Sequence, residues 1–364
     1  MAIGFPVKDD YVTGDVLTAA NMNDLSGSVN LLESAQYAAG KNKIINGDCN
    51  VNQRAFSSGT TSTSYIVDRF QFEYTGGTTT GSVQAFTAGT APVTGYEAKQ
   101  YVQLASTSQS AAGDYVLLKQ KIESVRTFAN QTATLSFWAK ASSGTPKVGG
   151  YVNQVFGSGG SATVTTAGTL QTISTSWARY SITISVPSIS GKTIGTSDYL
   201  EFGLMTSCGT TIAALGYPAV GIQNATIGLW GFQIEAGSTA TAFQTATGTL
   251  QGELAACQRY YWRATGSAAN EILINYAFAG STTIAQAQAQ FPVPMRANPT
   301  SLDSNAILFA NYIGTSTAMT SVLFNRASTV VAQIYGTVSG VTAGHTGNIL
   351  ANGSGSYVGL SAEL

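Results

Sequence analysis

Short runs in which apolar and polar positions alternate dominate this chain, the period-two signature of strands lying on a core. Residues 65–74 set Ile66, Phe70 and Phe72 among polar neighbours, and residues 101–104, 115–122, 132–140, 177–186 and 199–205 supply further strand candidates. At 227–235, Gly228, Trp230, Phe232 and Ile234 face one way and Gln233 and Glu235 the other, which predicts a half-buried strand with a polar face. Residues 43–51 predict a short strand turning at Asn46-Gly47. Turn signals at Gly76-Gly77, 157–160 and Gly191 separate these runs, and no helical pattern intervenes. Short strands at this spacing predict a two-sheet antiparallel sandwich over residues 43–245.

The pattern changes at both ends of that region. After a run of Ser, Thr, Ala and Gly, the positions Leu250, Leu254, Cys257 and Tyr261 recur at helical spacing and lead into Tyr260-Tyr261-Trp262. Strand-like runs follow at 259–263, 272–278, 282–291, 307–312, 321–326, 330–338 and 357–363, predicting a smaller sandwich over 246–364. Pro292, Pro294 and Pro299 place the intervening FPVPMRANP on a sheet edge or a connecting loop. At the other end, residues 1–17 read as an extended peptide. Thr18 is a candidate N-cap, and Met22, Leu25, Val29 and Leu32 follow at spacings of three, four and three, as on one face of a helix. A glycine cap is expected at Gly40. Residues 1–42 thus form an arm with too few core residues to fold alone, and its apolar seam suits self-association or docking on a larger body.

Composition narrows the function classes. Only 10% of the 364 residues are charged while 44% are hydrophobic, so Ser, Thr, Asn, Gln and Gly must dress the surface of a well-filled core. A formal net charge of -1 gives no basic footprint for nucleic acid. No apolar run is long enough to span a membrane as a helix, and residues 1–10 lack the apolar segment of a secretory leader, which implies a reducing cytosol as the place of synthesis. Cys49, Cys208 and Cys257 are odd in number and widely scattered, and read as three buried thiols.

Catalytic equipment is sparse. His345 is the single histidine and lies in VTAGHTGN, which reads as an exposed turn. No G-x-S-x-G elbow and no zinc-spaced Cys/His cluster occurs. GSGGSA at 157–162 mimics a dinucleotide fingerprint but reads as a loop within β sequence. No cofactor is expected. Carboxylates remain: glycoside hydrolysis needs two acids flanking one bond, and Asp68, Glu73, Asp114, Glu123, Asp198 and Glu201 are the pool, each also suited to structural ion pairing.

Several phrases in order carry a resemblance. GDVLTAANMNDL, then IINGD, QR and YIVDRF, then LSFWAKASSG, SWARY, VPSISG, QIEAGSTATAFQ, ELAACQRYYW and FPVPMRANP resemble phage and prophage tail-fibre or virion appendage proteins. The order of Asn46-Gly47-Asp48, LSFWAKA, WARYSITISV and the 227–235 strand is also similar to carbohydrate-binding-module-like jelly rolls. The resemblance implies a mainly β fold: an N-terminal helical arm (1–42), a jelly-roll-like antiparallel β-sandwich (43–245) and a smaller C-terminal β-sandwich (246–364) as distal tip. It implies a homotrimer on the virion, made in host cytoplasm, held to other virion proteins through residues 1–42 and meeting host surface polysaccharide. A capsid-attached head fibre is the alternative attachment, and a glycan-degrading enzyme using two of the acids is the alternative of another class. Relatives can hold calcium beside Asn-Gly-Asp, but Asn50 stands where Glu is expected and Trp230-Gly231 replaces an acidic pair, so no metal is expected. Tyr312, Tyr335 and Tyr357 are the candidate glycan-stacking residues of the distal unit.

Overall fold

The computed structural model describes residues 40–93, 96–314 and 316–364. The expected arm helix, with its seam Met22, Leu25, Val29 and Leu32, lies outside the described residues.

The first β unit contains β1 (Ser58–Gly59), β2 (Tyr65–Val67), β3 (Phe70–Thr75), β4 (Thr78–Ala85), β5 (Gln100–Thr107), β6 (Tyr115–Glu123), β7 (Gln131–Ala141), β8 (Lys147–Val155), β9 (Val164–Thr172), β10 (Ala178–Val186), β11 (Tyr199–Cys208) and β12 (Thr226–Ala236). They form two six-stranded antiparallel sheets, ordered β1-β4-β5-β12-β7-β10 and β2-β3-β6-β11-β8-β9. Alternate residues of each sheet face inward: Leu104, Leu135, Phe137 and Ile182 from the first meet Phe72, Leu118, Val152 and Phe202 from the second. The Phe70 and Phe232 rings, centroids 4.6 Å apart, span the layers. The sandwich expected from the alternating pattern is therefore present.

Two local expectations fail for physical reasons. Residues 43–51 do not form a strand; Ile45–Asp48 is a turn whose backbone is spoken for by other elements. Asn46 N donates to Glu253 Oε2 at 2.6 Å, and Phe232 N donates to the Gly47 carbonyl at 2.8 Å. The strand at 227–235 is not half-buried either, because its polar positions Gln233 and Glu235 are covered. A register shift between Trp230 and Gln233, with Gly231 at φ +66°, inserts one residue against β7. The extra residue reverses the parity. Trp230 turns to the outer face beside Trp138, Phe86, Tyr96 and Phe243, whereas Phe232 and Ile234 face the core. The Ser/Thr/Ala-rich segment after β12 then folds back over Gln233 and Glu235. Thr241 N and Oγ1 donate to the Glu235 carboxylate at 2.9 and 2.7 Å, and Gln244 N donates to Gln233 Oε1 at 2.8 Å.

Two short helices interrupt the strands, α1 (Thr210–Ala213) and α2 (Leu250–Gln258). Helix α2 starts at an N-cap, Thr249, as helical spacing requires, but its buried positions are Glu253 and Cys257. Leu250 and Leu254 are exposed, because the junction presents backbone donors at 46 and 247 for a carboxylate rather than an apolar socket.

The second β unit comprises β13 (Tyr261–Thr265), β14 (Ile272–Ala279), β15 (Ile284–Gln290), β16 (Ser301–Asn305), β17 (Ile307–Asn311), β18 (Ser316–Ala327), β19 (Val331–Thr337), β20 (Thr346–Ala351) and β21 (Tyr357–Ser361). Strands β14-β15-β19-β18-β17-β20 close into a barrel, with a three-stranded sheet β13-β21-β16 beside it. A six-stranded barrel is narrow. Its inward positions are accordingly small, among them Ala277, Ala279, Ala285, Ala287, Ala289 and Ala332, with Phe309 and Ile334 filling the remainder. FPVPMRANP is a connecting loop, as its prolines require.

Aromatic and ionic contacts join the two units. Arg69 and Arg54 both pair with Glu363, and Arg54 also lies 3.6 Å from Asp68. The Arg54 and Arg69 guanidinium groups stack 3.6 and 3.3 Å over the Tyr261 and Tyr260 rings. Arg259 grips Glu123 with two hydrogen bonds of 2.8 and 2.9 Å. The CQRYY phrase is thus the hinge plate between sandwich and barrel.

Candidate functional site

Four strands of the second sheet bring one set of polar side chains to the face turned away from the core. Strand alternation decides which. With Phe70 and Phe72 inward, Glu73 of β3 points out; with Val116 and Leu118 inward, Tyr115, Leu117 and Lys119 of β6 point out. The same parity turns Glu201 and Met205 on β11 and Tyr151 and Asn153 on β8 to that face, where all four are buried. Helix α1 and the chain after it rise over this face and add Ile212, Leu215 and Tyr217. Glu73, Tyr115, Leu117, Lys119, Glu201 and Met205 line a cleft of about 210 Å³ with them, and Tyr151 and Asn153 lie buried behind Glu201.

The charged groups of the cleft meet at one lysine. Lys119 Nζ lies 2.6 Å from Glu73 Oε2 and 3.5 Å from Glu201 Oε2, so one ammonium bridges two carboxylates. Tyr115 donates to Glu73 Oε1 at 2.5 Å, and Tyr151 and Asn153 Nδ2 both donate to Glu201 Oε1 at 3.1 Å. Asn153 Nδ2 also reaches the Tyr217 hydroxyl at 3.0 Å, while Asn153 Oδ1 is buried with no partner. Tyr151 packs edge-on to Tyr217, centroids 4.9 Å apart. Gly203 makes this possible: a Cβ there would lie 2.4 Å from the Tyr151 ring, so only glycine lets the tyrosine lie across β11.

Burial alone would raise the Glu73 carboxyl. Hydrogen bonds from Lys119 and Tyr115, with the ammonium charge, outweigh it and hold Glu73 below the ordinary carboxylate range. Burial opposes the Lys119 ammonium, but attraction to Glu201 and Glu73 wins and raises it. Burial pushes the Tyr151 hydroxyl well up, with the Glu201 charge adding to it, so it stays a neutral donor. The cleft offers ionised acceptors, neutral donors and ring surfaces, the combination that holds a polyhydroxyl ligand.

Of the acids singled out in the sequence, only Glu73 and Glu201 converge. Asp68 is buried against Arg54 and Gln53, Asp114 accepts from the Ser110 and Ala111 amides, Glu123 holds Arg259, and Asp198 accepts from Val125 N. Asn50 Nδ2 donates to Asp48 Oδ2 at 2.6 Å, placing a donor where a cation would need an acceptor. His345 sits in a turn, half-buried rather than exposed, and the three cysteines are buried and free. Residues 157–162 form a loop leading to β9, with no helix after it. The three tyrosines chosen for the barrel unit do not meet. Tyr312 is exposed at the end of β17, Tyr335 lies half-buried on β19, and Tyr357 on β21 has Arg263 stacked 3.5 Å over its ring. Tyr151, Asn153 and Tyr217 were not legible as site residues: β8 begins Lys-Val-Gly-Gly, and glycine pairs read as a turn.

No family model and no curated protein matches the sequence. Among solved structures, the chain is similar to the enzymatically active domain of bacteriophage CBA120 tailspike protein 4, at 12% identity and TM-score 0.31, covering 54% of this chain and 21% of that one. It is similar to the CBM22-1 xylan-binding domain of Paenibacillus barcinonensis Xyn10C, at 18% identity and TM-score 0.28, covering 51% of this chain and 99% of that one. It is also similar to the family 11 carbohydrate-binding module of Clostridium thermocellum in complex with a mixed-linked tetrasaccharide, at 10% identity and TM-score 0.31, covering 52% and 99%. This chain spans about a fifth of the length of the tailspike chain it matches.

Proposed function

We propose that the cleft on the second sheet binds a glycan without cleaving it, and that the protein is a bacteriophage virion appendage, a tail fibre, that uses this cleft on host surface polysaccharide. The observation that carries the binding is the Glu73–Lys119–Glu201 bridge set between Tyr115 and Tyr217 on an outward sheet face. Sugar hydroxyls donate to the carboxylates, and the apolar face of a pyranose rests on tyrosine. The same bridge speaks against Glu73 as a general acid. A glycosidase needs one carboxyl protonated at working pH to act as general acid. Glu73 is held low by the shared ammonium, so it has no proton to give.

The attachment role rests on the ordered phrases in the sequence, from GDVLTAANMNDL to FPVPMRANP. In this reading residues 1–42 anchor the chain to the particle, the protein is a homotrimer, and several weak cleft sites act together as avidity. An array of bacterial surface polysaccharides probed with the full chain tests the binding. Saturable retention on one polysaccharide class, lost in Tyr217→Ala, supports it; no retention on any class refutes it. For the anchor, deleting residues 1–42 is expected to abolish incorporation into particles, and a truncated protein still found on virions refutes that part.

A further inference from the structure

The barrel carries a second aromatic cleft, remote from the sheet face above. Its walls are Tyr276 and Phe278 from β14 and Tyr312 at the end of β17, with Thr346 and Gly347 of β20 between them and Gly344 at the rim, around about 350 Å³. Gly347 pairs with Ala277 on one side and Asn311 on the other, so the β20 backbone runs between the rings. A Cβ at 347 would lie 1.9 Å from the Ala310 carbonyl oxygen, so β20 and β17 approach there as only glycine allows.

Tyr276 shows why this is a built feature. It has φ +58°, a conformation that costs any bulky L-residue, and it occupies a register shift between Ile274 and Ala277. Ile274 and Ala277 are both buried, so the inward sequence of β14 is served on either side of the shift. The additional residue therefore adds nothing to the core. What it does is project a tyrosine that is 80% exposed toward Tyr312, itself 66% exposed and oriented by a hydrogen bond from its hydroxyl to Asn348 Oδ1 at 3.2 Å. Strain spent to hold an aromatic ring in water is otherwise unexplained.

We propose that Tyr276, Phe278 and Tyr312 form a second ligand site that takes a neutral pyranose ring. The lining contains no charged side chain, so a charged ligand would lose hydration with nothing to replace it. Rings on either side of the β20 backbone suit the C–H faces of a sugar, and Thr346 and the Tyr312 hydroxyl supply polar groups for its hydroxyls. The site differs in kind from the sandwich cleft, which is built around three charges, and does not rest on that cleft's reading.

Saturation-transfer-difference NMR on the full chain, with glucose, galactose, mannose and N-acetylglucosamine as probes, tests it. At least one sugar is expected to receive saturation at its ring C–H protons. Tyr276→Ala and Tyr312→Ala should each weaken that binding about tenfold, the loss of one aromatic stacking partner, and Val330→Ala, at an exposed barrel position outside both clefts, should leave it unchanged. Tyr276→Gly should weaken binding as Tyr276→Ala does while keeping a melting temperature at least that of the wild type, because glycine adopts this φ without strain. Absence of transfer from all four sugars, or transfer that survives the paired Tyr276→Ala and Tyr312→Ala changes, would overturn the proposal. So would a Tyr276→Gly protein that melts lower, which would make the ring a packing element, or an oligomer that Tyr276→Ala dissociates, which would assign the face to protein contact.

Discussion

At the scale of single residues, the sandwich cleft is an electrostatic balance around Lys119. Glu73 has a folded value held below its unfolded one, so it contributes stability that is present above about pH 4 and is lost as pH falls through the lower folded value. Lys119 is shifted the other way. Its contribution is present below about pH 10 and disappears as pH rises past its raised folded value. Glycan binding should therefore be flat from about pH 5 to about pH 10, checked by titration calorimetry across that range. Lys119→Met removes the counter-charge and a hydrogen bond that hold Glu73 low, which should raise its carboxyl value. Carboxyl-carbon NMR titration reads this directly, and binding should then acquire a pH dependence on the acid side of neutrality. Glu73 and Glu201 were legible in the sequence as two members of a pool of six. Nothing in the spacing said which two would meet, because strands β3 and β11 become near neighbours only through β6.

At the scale of elements, one glycine decides the layout of the sandwich. Gly231 at φ +66° makes the bulge that sends Trp230 outward and Phe232 inward, and a Cβ there would lie 2.5 Å from the Trp138 ring. Gly231→Ala should cost about 1–3 kcal/mol in chemical unfolding, from backbone strain and displaced indole together. Gly203→Ala is expected to act differently, driving Tyr151 off β11 with a loss of glycan affinity that exceeds its effect on stability. Strands whose inward residues are large and outward residues polar, such as β7 and β10, could be read directly from alternation. Strands β8 and β9 could not, since Gly149, Gly150 and Gly168 leave gaps in the apolar period, and β12 misled because an inserted residue reverses every parity after it. The barrel strand β15, Ile-Ala-Gln-Ala-Gln-Ala-Gln, was legible as a strand, but its closure was not: alanine inside reports a narrow interior only once the neighbours are known.

At the scale of the whole molecule, sandwich and barrel are held as one body by buried charges. Arg69 is almost wholly buried and relies on Glu363 and the Tyr260 ring. Glu363→Gln leaves that guanidinium without its counter-charge and should destabilise the junction by about 3–5 kcal/mol. In scanning calorimetry a single transition should then split, the barrel melting apart from the sandwich. A junction held in this way would keep the two proposed sugar surfaces, one charged and one neutral, at fixed separation. The central claim is that the Glu73–Lys119–Glu201 cleft retains polysaccharide and does not cut it. It is tested by following retained protein and newly formed reducing ends together on the polysaccharide the array selects. Saturable retention that Tyr217→Ala abolishes, with reducing ends constant over hours, is the predicted result. Reducing ends that accumulate with time, and stop in Glu73→Gln or Glu201→Gln, would contradict it.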